Sequence, residues 1–117
     1  MTKKEKLIQE CVLHFSKKYL DKIILAMPCG VILSGSKDVN LISDLQKAGL
    51  LHGCPELFIP HANNYHGVWF KFIEYGETLT KEALSIIAVL MFEGYKVYTV
   101  ANLTAFKNKL KEYMGAK

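Results

Sequence analysis

With 117 residues, the chain can enclose one hydrophobic core but not two. Its 50% hydrophobic and 22% charged residues form a globular balance, which argues against a disordered chain. All fifteen basic residues are lysines, set against eleven acids for a net charge of +4. Without a guanidinium fork to read base edges, sequence-specific nucleic-acid readout is disfavoured, whereas phosphate contact is not.

In chain order, KKEKLIQECVLHFSKKYL (3–20) gathers Leu7, Cys11, Leu13 or His14, and Phe15 near one face, with lysines outside. That spacing predicts an amphipathic helix. KIILAMP (22–28) predicts a short apolar strand ended by Pro28. CGVILSGSKD (29–38) predicts a turn or short hairpin. Ser36 then caps a helix over KDVNLISDLQKAG, which Gly49 terminates. ELFIP (56–60) predicts a buried strand, and HANNYHG (61–67) a polar loop. VWFKFIEY (68–75) is apolar on both faces and predicts a central strand. GETLTKEALSIIAVLMFEG (76–94) predicts a helix closed by Gly94. Thr80 is its cap, but Ala83 stands where a capping box has Glu or Gln. YKVYTV (95–100) alternates as a strand, and NLTAFKNKLKEYMGAK (102–117) predicts a last amphipathic helix capped by Asn102. The order predicts one α/β domain over 1–117, a mixed central sheet with helices on both sides.

The three cysteines, Cys11, Cys29 and Cys54, are odd in number, widely spaced and without a CxxC pair. They argue against a zinc site or disulfide framework and for a reducing compartment. His14, His52, His61 and His66 lack zinc-ligand spacing. No apolar run reaches membrane-span length, and charges interrupt the lysine-rich start, so neither a membrane role nor a signal peptide is expected. The expected location is intracellular, in cytoplasm or nucleus.

The order of elements and four local patterns resemble the VRR-NUC branch of the PD-(D/E)XK nuclease superfamily, over nearly the whole chain. AMPCGV resembles its apolar-Pro-Asn-Gly-Gly segment. DLQKAGLLHGCPELFIP resembles its Leu-Lys-x-x-Gly to Gly-x-Pro-Asp-Leu segment, the most specific signature. NYHGVWFKF resembles the run into its Glu-x-Lys strand, and LTKEALSIIAVLMFEGYKV its Leu-Ser-x-x-Gln helix followed by Gly-Tyr-x-Val. Glu5 and Gln9 match a Glu-x-x-x-Gln pattern on the first helix. The resemblance implies a restriction-endonuclease-like core. It also implies phosphodiester hydrolysis by a magnesium or manganese ion on hard oxygen ligands, with a lysine stabilising developing charge.

Carried over position by position, the resemblance implies a degenerate site. Glu5 stands at the helix acid, and Glu56 replaces the Asp after the proline. Lys71 falls at the strand's Glu, Ile73 at the catalytic lysine, Ala83 at the helix glutamine, Gln46 at an upstream lysine and Cys29 at the asparagine. The added methylene of Glu56 shifts a ligand by roughly an ångström, a misplacement that can cost on the order of a hundredfold. Lys71 reverses the charge at a cation site. A shifted register puts Glu74 at the acid and Gly76 at the lysine. Migrated groups, Glu74 or Glu77 as acid and Lys47 or Lys81 as lysine, are a further alternative.

The leading expectation is a pseudoenzyme without a cofactor that binds nucleic acid through the old cleft. Its contacts are Lys37, Lys47, Gly53, Lys71 and Lys81. The alternatives are an active divergent endonuclease, with Mg or Mn on Glu5 and Glu56 and possibly Glu74, and a protein-interaction module or homodimer. Each marked residue also has a plainer reading. Glu56 can sit half-exposed at a strand start, and Glu5 can pair with a neighbouring lysine. Lys71 can pair with Glu56 or Glu5, or face solvent at an edge. Tyr65, His66 and Trp69 can stack on bases, or form a turn and part of the core. Gly53 permits a close backbone approach.

Overall fold

The structure is a computed structural model that describes residues 2–27, 40, 43, 44, 47 and 53–115. Helix α1 spans Lys3–Lys18. Thr2 caps it: its Oγ1 accepts the Glu5 N–H at 3.1 Å, and its hydroxyl donates to Glu5 Oε1 at 3.1 Å. This is a variant of the Thr-x-x-Glu capping box, with Lys17 and Lys18 favourably placed in the last turn. Strands β1 (Leu25–Ala26), β2 (Leu57–Ile59) and β3 (Val68–Phe72) follow, then helix α2 (Lys81–Phe92), strand β4 (Lys96–Val100) and helix α3 (Leu103–Met114). Asn40, Ser43, Asp44 and Lys47 are helical, as the pattern over 37–49 predicts. The expected hairpin over 29–38, the Ser36 cap and the Gly49 stop lie outside the described residues.

The four strands form one sheet in the order β1-β2-β3-β4. β1 and β2 are antiparallel, as are β2 and β3; β3 and β4 are parallel, joined by α2 as the crossover. β3 is central, as its two-sided apolar pattern predicts. Side chains alternate across it. Val68, Phe70 and Phe72 meet Leu57 and Ile59 of β2, Val100 of β4, Cys11 and Phe15 of α1, and Phe106, Leu110 and Tyr113 of α3 in the core. Trp69 and Lys71 therefore point to the other face, with Phe58. There Trp69 stacks on Phe58 at 4.4 Å, and Tyr95 meets both rings edge-on. Burial first, then the Glu10 carboxylate, push the Cys11 thiol up to about 12, so it remains a protonated core group.

The first strand is much shorter than KIILAMP predicts, and both its residues are exposed. Among the described residues it pairs with β2 alone, itself three residues long. The apolar face of α1 includes half-buried His14 and excludes Leu13, which is 55% exposed. The loop at 61–67 is tied to α3. Asn63 Nδ2 donates to the Tyr113 carbonyl at 2.9 Å, and the Tyr113 hydroxyl donates to the His61 carbonyl.

Candidate functional site

Glu56 directly precedes β2, and Lys71 lies one residue before the end of β3. The antiparallel pairing of these strands brings the two together on the face away from α1 and α3. Lys71 Nζ lies 3.5 Å from Glu56 Oε2, with the two side chains only 13% and 4% exposed. The other carboxylate oxygen, Oε1, accepts the Phe72 N–H at 3.0 Å. The Glu56 main chain is held too: its N–H donates to the Phe70 carbonyl at 3.1 Å, and its carbonyl accepts the Met27 N–H at 2.6 Å. The half-exposed reading of Glu56 is corrected, because the residue is 3% exposed. The edge-solvated reading of Lys71 is corrected as well. The central strand has no solvent edge, and the lysine pairs with Glu56 rather than Glu5.

The remaining marked residues are more dispersed. Glu5 serves the Thr2 cap of α1. Sequence carried a signal for this, Thr2 followed three residues later by Glu5. Beyond β3, Glu77 Oε1 accepts the Glu74 N–H at 3.0 Å and pairs with Lys4 at 3.5 Å. The Glu74 N–H, then Lys4 and Lys71, hold the Glu77 carboxyl below the usual glutamate range against the opposing push of desolvation. Glu77, one of the migrated acids considered above, is thus engaged in closing its own turn. Ile73 continues the parallel ladder, its N–H donating to the Val100 carbonyl at 3.1 Å.

Gly53 has φ +87°, and a Cβ placed there would lie 2.9 Å from the Ala83 nitrogen. The glycine thus lets the backbone pass against the first turn of α2, where Thr80 Oγ1 accepts the Ala83 N–H at 3.1 Å. Ala83 itself is 2% exposed. Lys47 and Lys81 are exposed, and Lys81 opens α2. Lys37, Gln46 and Cys29 lie outside the described residues. Trp69 is half-buried, and its Nε1–H is buried without a hydrogen-bond partner among the described residues.

A magnesium or manganese ion would need several hard oxygens converging on one point. Here the oxygens of Glu56 face the Phe72 N–H and the Lys71 ammonium, and Glu5 faces Thr2. Among the described residues, no three His, Cys, Asp or Glu side chains come together as a metal-holding group. The described donors do not fit such an ion. What the arrangement offers is a fixed, mostly buried ammonium at the mouth of two strands.

The chain matches no family model and no curated protein. A solved structure described as a "VRR_NUC domain protein" superposes on 97% of this chain and 89% of its own length, with a TM-score of 0.78 at 15% identity. That likeness shows the fold: a mixed sheet flanked by helices, similar to a VRR_NUC nuclease-like domain.

Proposed function

We propose that this domain keeps the nuclease fold, has lost metal-dependent phosphodiester hydrolysis, and binds nucleic acid through the cleft at the Glu56 end of the sheet. The observation that supports the reading is the Lys71–Glu56 pair. A side-chain ammonium at the carboxylate supplies a positive charge where this class of fold is expected to place a cation. An ammonium can attract phosphate, but it provides neither the open coordination positions nor the activated water that a metal brings. Lys47 and Lys81 add exposed charge, and all-lysine contact makes such binding weak, salt-sensitive and indifferent to base sequence.

The test has two arms. Fluorescently labelled single-stranded, duplex and branched DNA and RNA are titrated at low and at physiological salt, with magnesium or manganese and cleavage followed in parallel. Binding that weakens steeply with salt and with Lys47→Glu, without cleavage, is the expected outcome; no binding at low salt sinks the binding half. Metal-dependent cleavage abolished by Glu56→Ala overturns the loss of catalysis. The double change Lys71→Glu/Ile73→Lys restores the family's pair of side chains and is expected to raise manganese affinity.

A further inference from the structure

Strand β4 pairs with β3 alone among the described residues. Its Lys96 N–H donates to the Gly67 carbonyl at 3.0 Å, and its Val100 carbonyl accepts the Ile73 N–H at 3.1 Å. Lys96, Tyr98 and Val100 therefore turn their main-chain groups toward β3. Val97 and Thr99 turn theirs outward, and Thr99 is exposed. Such an outward row is a template for one more strand.

Edge strands commonly guard that row with a lysine that stays in water. Lys96 is placed differently. Its side chain lies with those of Tyr98 and Val100 on the face covered by α1 and α3, and it is half-buried. Its Nζ sits 5.2 Å from the centre of the Tyr98 ring and 5.6 Å from that of Tyr65. Lys109 of α3 reaches the same Tyr98 ring at 5.5 Å. The rings attract an ammonium but carry no net charge to neutralise it. Among the described residues, Lys109 has the Glu112 carboxylate at 3.3 Å, and Lys96 has no carboxylate within 4 Å. A half-buried ammonium without a counter-charge thus stands at the start of an open strand.

We propose that β4 is a docking edge for an extended acidic peptide segment of a partner protein, which adds to the sheet as a further strand. Val97 and Thr99 supply the main-chain hydrogen bonds. Every second side chain of the incoming strand falls on the face of α1 and α3. A Glu or Asp there meets the Lys96 ammonium, with Lys109 as a second cation. Tyr98 and Tyr65, the latter 40% exposed, hold the Lys96 charge in place before the partner arrives.

Other occupants match this edge less well. Nucleic acid shares the attraction to lysine, but it has no peptide groups to complete the outward row, and Glu112 repels a phosphate backbone. A second copy of the chain brings like charges together. Pairing β4 with β4 about a two-fold sets both Lys96 and both Lys109 side chains on one face, against the two Glu112 carboxylates alone. The docking edge is also separate from the proposed cleft, because Lys96 and Lys71 lie on opposite faces of the sheet.

The probe is a fluorescein-labelled peptide of about eight residues that alternates Glu with Val or Thr, titrated against the intact chain. Polarisation is expected to give a Kd of about 10–100 µM at low salt, weakening as salt screens the pair. The amide resonances of Val97 and Thr99 are expected to shift, and their hydrogen exchange to slow. Lys96→Gln is expected to weaken binding about fivefold or more with an unchanged thermal melt, as is exchanging the peptide's Glu for Gln. A peptide N-methylated at the residues that face β4 keeps its charge but loses those donors, and is expected not to bind. No binding at about 1 mM peptide overturns the proposal. So does undiminished binding of the N-methylated peptide, or of the acidic peptide to Lys96→Gln. A single-stranded oligonucleotide that shifts Val97 and Thr99 and displaces the peptide through Lys96 assigns the face to nucleic acid and overturns it as well.

Discussion

Lys71 and Glu56 each bear a charge that the other alone, among the described side chains, pairs within 4 Å. Burial at 13% and 4% side-chain exposure makes the charges costly to leave unpaired, while the pair itself contributes little beyond an apolar replacement. The two halves of that statement predict different mutants. Lys71→Met leaves the Glu56 carboxylate buried, with only the Phe72 N–H as donor, and is expected to cost about 3 kcal/mol. Glu56→Gln alone strands the ammonium and costs a similar amount. Glu56→Gln/Lys71→Met removes both charges, keeps an acceptor for Phe72, and is expected to recover most of the loss. Urea denaturation of the four proteins measures the coupling. Additive losses in the double variant would mean that the pair is not an interacting unit.

At the scale of elements, Gly53 and Gly76 separate two costs that a glycine substitution usually mixes. Both have positive φ, +87° and +83°. A Cβ on Gly76 meets nothing within 4 Å, whereas one on Gly53 meets backbone of α2 at 2.9 Å. Gly76→Ala is expected to cost about 1 kcal/mol for the left-handed backbone alone. Gly53→Ala adds a clash with main chain that cannot rotate away, and is expected to cost about 3 kcal/mol with a loosened α2. Equal losses in thermal melts of the two would refute the close approach. The same elements show what sequence can encode locally. Thr80 and Asn102 are legible as caps because a cap is made within four residues, and both side chains accept the expected N–H. The central place of β3 is legible from its two apolar faces. The partner of Lys71 is legible in part: sequence narrows it to Glu56 or Glu5, and the strand register decides for Glu56, fifteen positions away. The clamp of Tyr113 and Asn63 around the loop at 61–67 is not legible, because its residues are about fifty positions apart. The outward face of α2 is not legible either: the apolar run over 84–92 does not say which side chains stay uncovered, and the fold leaves Leu84, Val89, Met91 and Phe92 exposed.

Across the molecule as a whole, the lysine excess is felt on the face where α1 and α3 meet. His14 sits there between Lys18 and Lys107. Partial burial first, then the two ammonium groups, hold its imidazole below the usual histidine value of 6.5. The sign of the consequence follows by linkage. The unfolded chain takes up the proton more readily, so acid favours unfolding through this group. Its contribution to stability is complete above the ordinary histidine range and is lost as pH falls through the depressed folded value. The two lysine contributions are electrostatic and weaken with added salt; the desolvation part does not. Thermal midpoints measured from pH 7.5 down to pH 5 should therefore fall less steeply in His14→Gln than in the unaltered chain. Lys107→Gln should recover part of that difference, and salt should recover a similar part without mutation. Parallel pH profiles for His14→Gln and the unaltered chain would remove His14 from the account.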